Sequence, residues 1–347
     1  MKQRAVMKYS FFALCALFLS FACTAQTGAN VKSAGNAKNA DTAQGTRMKI
    51  EDITEKTAIE SVVSDADFTP WGRLIFPADP GYWSGATLGA LRLTWYSHID
   101  PAKTVEIVRY FKTQSLRGEP VFFDIYTEDE KRRDPQKRNT GLFFFRSKRN
   151  AKFTICNAGG GFAYVGAMHD SFPHALELSE RGYNAFALIY RPGAQTACED
   201  LARAIAFIHE HAAELQVDTA DYSLWGGSAG ARMAAWLGSF GTERFGEKAY
   251  PRPAAVIMQY TGLSEVTGNE PPTYACVGTS DGIASFRVME DRIRQIKANG
   301  TDAEIEIFNG LPHGFGLGTG TVASGWIDNA VRFWEGITSA ADIAQPR

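Results

Sequence analysis

The sequence predicts an α/β fold: a mostly parallel, twisted sheet of about eight strands with helices on both faces, and an N-terminal extension or cap. Three observations predict it. From residue 119 onward short apolar runs alternate with helical runs, the pattern of parallel strands joined by crossover helices. The 347 residues, 45% of them hydrophobic, suffice for one large domain or two small ones. Finally, Trp225-Gly226-Gly227-Ser228-Ala229-Gly230 sets a Gly-x-Ser-x-Gly between a strand-like run, Asp221 to Trp225, and a helical run, Ala231 to Leu237. A turn that tight leaves no room for side chains at the glycines and exposes the serine hydroxyl.

The first residues read as an export signal. Lys2, Arg4 and Lys8 make a basic start, and Phe11 to Ala22 is an apolar stretch of 12 residues, too short to span a bilayer. Ser20-Phe21-Ala22-Cys23 resembles a loose bacterial lipobox with Cys23 as the lipid anchor; cleavage after Ala22 or Ala25 is the alternative. Residues 24–47 carry almost no large apolar side chain and read as a disordered tether. The expected organisation is signal 1–23, tether 24–47, extension or cap 48–118 and catalytic domain 119–347. An exported protein, periplasmic or at the cell surface and tethered to a membrane through its N-terminus, follows from this reading.

Within 48–118, Ile50 to Val63 reads as helical. Pro101 to Thr113 reads as a helix with Asp100 as N-cap and Pro101 at its first position. Val121 to Tyr126 is a strand, and the mixed charges of Thr127 to Asn139 suggest a solvated hairpin tip. Strands follow at Gly141–Phe145, Lys152–Cys156, Tyr183–Tyr190, Ala254–Gln259, Thr273–Val277 and Ala303–Phe308. Helices are expected at Phe172–Arg181, Ala197–Leu215, Ile283–Ala298 and Trp326–Ile337. Cys156, Cys198 and Cys276 fall in or near these elements and read as small buried hydrophobes, not a disulfide framework. No Cys/His spacing suggests a zinc site, and the net charge of −2 gives no reason to expect a nucleic-acid partner.

A serine in such a turn needs a base to take its proton and an acid to orient the base. His313, in Gly310-Leu311-Pro312-His313-Gly314-Phe315-Gly316, is the only histidine after Ser228. Asp281, in Gly278-Thr279-Ser280-Asp281-Gly282, is the better acid candidate, with Glu265 as rival. Both follow strands, where open α/β sheets place their sites. Ala158-Gly159-Gly160-Gly161-Phe162 follows another strand, and its glycines leave backbone N–H groups free to converge on an oxyanion. Gly160, Gly161 and Ala229 are the expected donors. His209 and His211 are two apart on a helix and read as surface or packing residues.

From about residue 119 to the end the chain resembles the α/β-hydrolase superfamily. Within it, the nearest likeness is to bacterial esterases and lipases near the hormone-sensitive-lipase and acetyl-xylan-esterase groups. The GGSAG turn, the AGGGF loop and HGFG carry the resemblance. It departs where those families place His or Pro before the three glycines. Here Asn157 and Ala158 stand there, and Asn157 is a candidate brace for the loop.

The resemblance and the residues imply a serine hydrolase cleaving carboxylic esters through an acyl-enzyme, with no cofactor. Short acyl esters of a sugar or other polar carrier are the leading substrates. His169, Arg191 and Gln259 are candidate substrate-binding residues, with Asp170 and Arg232 also near. The aromatic residues Trp71, Tyr82, Trp83, Trp95 and Tyr96 serve either core packing or sugar stacking. Two alternatives stay open: a serine peptidase of the prolyl-oligopeptidase type, and an inactive binding module on the same fold.

Overall fold

Eight strands form the central sheet of the computed structural model, which describes residues 47–344. They are β1 (Phe122–Phe123), β2 (Gly141–Phe145), β3 (Ala151–Asn157), β4 (Asn184–Ile189), β5 (Val217–Gly227), β6 (Ala255–Gln259), β7 (Thr273–Gly278) and β8 (Ala303–Phe308). Their spatial order is β1-β2-β4-β3-β5-β6-β7-β8. β1 and β2 run antiparallel to their neighbours, and β3 to β8 are parallel. The proposed signal, Cys23 and the tether as far as residue 46 lie outside the described residues.

Parallel strands are covered on both sides, and most of the strands inside the sheet are accordingly buried, whereas the edge strand β8 alternates with two glutamates. β2, β4, β6 and β7 are buried at every position. Strand alternation shows the two layers. Tyr222 of β5 meets His209 of the helix Ala194–Glu210, and Trp225, of opposite parity, meets Trp326 of the helix Trp326–Ala344. The helices therefore flank both faces. β3 lies between β4 and β5, so the chain reverses its direction of travel across the sheet at the carboxyl ends of β3 and β5. That reversal opens a crevice, the usual place for a site in such sheets.

Residues 48–118 pack into the same compact unit as the sheet. The helix Pro101–Leu116 starts at Asp100, whose side chain accepts from the N–H groups of Ala102 and Lys103. Its Phe111 packs against Phe143, Phe145 and Phe172 at ring distances of 5.2, 5.4 and 5.3 Å. Lys112 is fully buried. Its ammonium donates to the buried Asp65 at 2.8 Å and to Asp67 at 2.7 Å, so both sides of the ion pair are matched.

Several elements differ from the sequence expectation. Ile50 to Val63 is not one helix: a turn at Ile50–Asp52 and a short helix at Ile59–Val63 flank a break, and Thr57 Oγ1 accepts from the Thr54 N–H. The Val121–Tyr126 strand shrinks to two residues. Thr127 to Asn139 is no hairpin tip. Thr127 and Glu130 form a reciprocal capping box that starts the helix Glu128–Arg133, and a turn follows at Pro135–Asn139. The helix expected to reach Leu215 ends at Glu210, with a separate turn at Ala212–Leu215. Cys156, Cys198 and Cys276 are buried free thiols. No helix among the described residues is long and apolar enough to cross a membrane.

Candidate active site

The turn after β5 holds Ser228 at φ 51° and ψ −114°, a left-handed backbone that serine adopts only when its surroundings enforce it. They do. A methyl group at Gly230 would lie 2.0 Å from the Asn157 carbonyl oxygen, so the turn can press directly onto the end of β3. The Ser228 N–H donates to the Gln259 carbonyl at the end of β6 (2.9 Å).

The structure brings Ser228, His313 and Asp281 into one line. His313 Nε2 is 3.1 Å from Ser228 Oγ, and His313 Nδ1 is 2.7 Å from Asp281 Oδ2. Asp281 has its other oxygen fixed by the N–H groups of Ile283 and Ala284 at 2.8 and 2.7 Å. Its carboxylate is shut off from solvent. Glu265 is exposed in the loop after β6, and His313 turns to Asp281. The Tyr260 ring stands edge-on to His313 at 5.0 Å, backing the imidazole with an apolar wall.

The glycine loop after β3 faces the same serine. The N–H groups of Gly160 and Gly161 find no acceptor among the described residues, and Ala229 opens the helix Ala229–Phe240 with the free N–H of a first turn. The Gly159 N–H is different: it donates to Asp170 at 2.6 Å. Asp170 is buried and also accepts from the hydroxyls of Tyr96 (3.0 Å) and Tyr260 (2.5 Å). Burial, followed by the charge of Asp170, pushes both phenols well above their ordinary pKa, so both remain donors. One carboxylate thus ties together the glycine loop, the N-terminal stretch and the wall behind His313.

Asn157 is therefore not the brace of that loop. Its side-chain amide donates to the carbonyls of Ile155 and Trp225 at 3.2 and 2.9 Å, because at the end of β3 it points along the sheet. The three substrate-binding candidates also have other duties. Arg191 is buried, paired with Asp200 at 2.7 Å and Asp134 at 2.8 Å, and is not free to meet a substrate. Buried Gln259 donates to the Gly316 carbonyl at 2.9 Å and so steadies the loop after His313. His169 is buried beside Tyr96, and burial pushes its imidazole down to about 3. It borders a cavity of about 210 Å³ with His98, Lys103 and Leu317, which Ser228, Asp281 and His313 do not line. Arg232 is half-buried one helical turn after Ser228. Among the described residues no group of three or more His, Cys, Asp or Glu side chains is placed to hold a metal ion.

Sheet order, serine turn and following histidine loop together define the α/β-hydrolase fold. Residues 145–285 match the BD-FAE family model, a span that includes the glycine loop, Ser228 and Asp281. No protein with a curated description matches the chain. Among solved structures it is similar to an acetyl ester-xyloside bifunctional hydrolase from Caldicellulosiruptor lactoaceticus, at 22% identity and a TM-score of 0.55. That match covers 62% of this chain and 96% of the other. A thermophilic esterase from Thermogutta terrifontis, solved with propionate bound, aligns at 21% identity and TM-score 0.53, over 62% of this chain and 93% of that one. A sugar hydrolase from Lactococcus lactis aligns at 20% identity and TM-score 0.51, over 58% and 95%.

Proposed function

We propose that this protein is a serine hydrolase that cleaves carboxylic esters through an acyl-enzyme on Ser228. The observation that carries the proposal is the line Asp281–His313–Ser228, at 2.7 and 3.1 Å, beside backbone N–H groups without acceptors. His313 Nε2 takes the Ser228 proton as Oγ attacks the ester carbonyl. Asp281 fixes the ring so that Nδ1 carries a hydrogen and supports the imidazolium that forms. Gly160, Gly161 and Ala229 donate to the oxyanion, each such donor contributing about 3–4 kcal/mol. The proton then passes to the leaving alcohol. Water, deprotonated by His313, releases the acid and restores the serine.

The substrates proposed are short acyl esters, acetate above all, of a sugar or another polar alcohol. Support comes from the acetyl ester-xyloside hydrolase and the propionate-bound esterase among similar structures. The proposed setting is outside the cytoplasm, with Cys23 as a lipid anchor. Mass spectrometry of the mature N-terminus reads this directly: a diacylglyceryl-modified Cys23 supports the anchor, and an unmodified N-terminus at Cys23 or Gln26 removes it.

The reaction is tested with p-nitrophenyl esters from acetate to octanoate, an acetylated sugar, a peptide amide and a fluorophosphonate label. Ser228→Ala should lower ester turnover by about 10⁴-fold or more and abolish labelling. Undiminished turnover in that variant defeats the mechanism. Faster cleavage of the peptide than of any ester turns the assignment to a peptidase, and a wild type that takes no label is an inactive module.

A further inference from the structure

Trp95 differs from the other aromatic residues of the N-terminal stretch. Trp71 is buried in the core and Tyr82 and Trp83 are half-buried, whereas Trp95 is 44% exposed. It is held at φ 72°, a backbone state that bulky residues seldom adopt. Its neighbours hold it there. The Thr94 carbonyl accepts from the Tyr164 hydroxyl, the Tyr96 hydroxyl donates to Asp170 at 3.0 Å, and the Ser97 N–H donates to the Gly314 carbonyl at 3.1 Å. The chain is thus pinned on both flanks to the loops of the site, and the residue between is turned outward. A segment that only covered the sheet would turn this ring inward.

The indole also sits where a bound ester would be. A methyl group at Gly161 would come within 3.1 Å of the indole Cζ3, and one at Gly314 within 2.4 Å of the Trp95 carbonyl oxygen. Trp95 therefore lies between the oxyanion loop and the loop that follows His313. Beneath it Tyr164 stacks at 5.8 Å and 28°, and Tyr82 stacks on Tyr164 at 4.8 Å and 17°. Two rings below fix the plane of the third, so binding against its free face costs little side-chain entropy.

We propose that Trp95 is the floor of a ring-binding subsite beside the scissile ester. Its ligand is a group with a flat apolar face, a pyranose or an aromatic ring, attached a few bonds from the carbonyl held over Gly161. This rests on the esterase assignment of Ser228. Stacking supplies dispersion and apolar burial at the outer face, and the ring's hydroxyls or edge stay in water.

The test compares kcat/KM for ring esters, acetylated methyl xyloside and phenyl acetate, with that for ethyl acetate. In Trp95→Leu, which keeps an apolar side chain and loses the plane, the ring-over-ethyl ratio should fall about tenfold, mostly through KM. Trp95→Phe should recover most of it. A fall for the xyloside alone assigns a sugar subsite, and a fall for phenyl acetate alone assigns an aromatic one. An unchanged ratio in a variant that melts like the wild type overturns the subsite. Binding is read separately by calorimetry of both ring esters on Ser228→Ala, with and without Trp95→Leu. Ring binding that depends on Trp95, together with a wild type that turns over no ester, overturns the esterase assignment and keeps the subsite. Ester turnover with a Trp95-independent ratio does the reverse.

Discussion

The serine turn and the N-terminal stretch reach the same crevice by opposite means. The turn is fixed by what its own residues cannot do: a side chain at Gly230 would collide with Asn157, so strand, turn and helix meet in one way only. The N-terminal stretch has little regular structure before Pro101 and is fixed by partners far away in the chain. Tyr96 finds Asp170 across 74 positions, and Lys112 finds Asp65 across 47. A site can thus take its chemistry from local geometry and its walls from long-range contacts. The two should fail differently when perturbed.

The largest effect should come from the long-range anchor. Lys112→Met leaves the Asp65 carboxylate buried without its cation and should cost about 3–5 kcal/mol in urea unfolding. If the loss is under about 1 kcal/mol, the stretch is held by apolar packing, and the contrast with the turn weakens. The next effect lies where the two regions join. Asp170→Asn keeps the shape and removes the charge that receives Gly159, Tyr96 and Tyr260. It should lower kcat about 10- to 100-fold with little change in KM, which is about 1.4–2.7 kcal/mol of transition-state stabilisation. An equal rise in KM with kcat intact would place Asp170 in substrate binding.

A third effect, away from the reacting groups, is on pH dependence. An unfolded chain takes a proton on His169 near pH 6.5, whereas burial withholds it in the folded chain until about 3. Burial lowers His174 in the same direction. Stability is therefore full above about pH 6.5 and falls as the pH drops, by about 1.4 kcal/mol per unit for His169. In His169→Gln the difference in urea stability between pH 7 and pH 5 should narrow by about 2 kcal/mol. An unchanged difference would mean that His169 protonates as readily in the folded protein as in the unfolded one.

The contrast also explains what was legible in the sequence. Ser228, Asp281, His313 and the glycine loop each follow a strand inside a recognisable local pattern, and the sheet follows from apolar runs of strand length. Asp170 stands nine positions after the glycines, but its meaning lies in Tyr96 and Tyr260, which only the folded sheet brings to it. Arg191 reads as a polar group near the crevice, and its partner Asp200 stands nine positions on, where helical burial, not charge pattern, puts it. The charged run after Thr127 did contain its own signal: Thr127 and Glu130 have capping-box spacing, and the density of charge obscured it.

The three buried cysteines have a practical consequence. Burial pushes the Cys198 thiol up to about 12 and raises Cys156 and Cys276 further, so none offers a thiolate to a reagent at neutral pH. Cys156 and Cys276 sit on β3 and β7, on either side of the serine strand, and Cys198 on a covering helix. An alkylating dye reaches them only when those layers part. The rate of its uptake would count openings of the sheet itself, a native clock for unfolding that needs no engineered label.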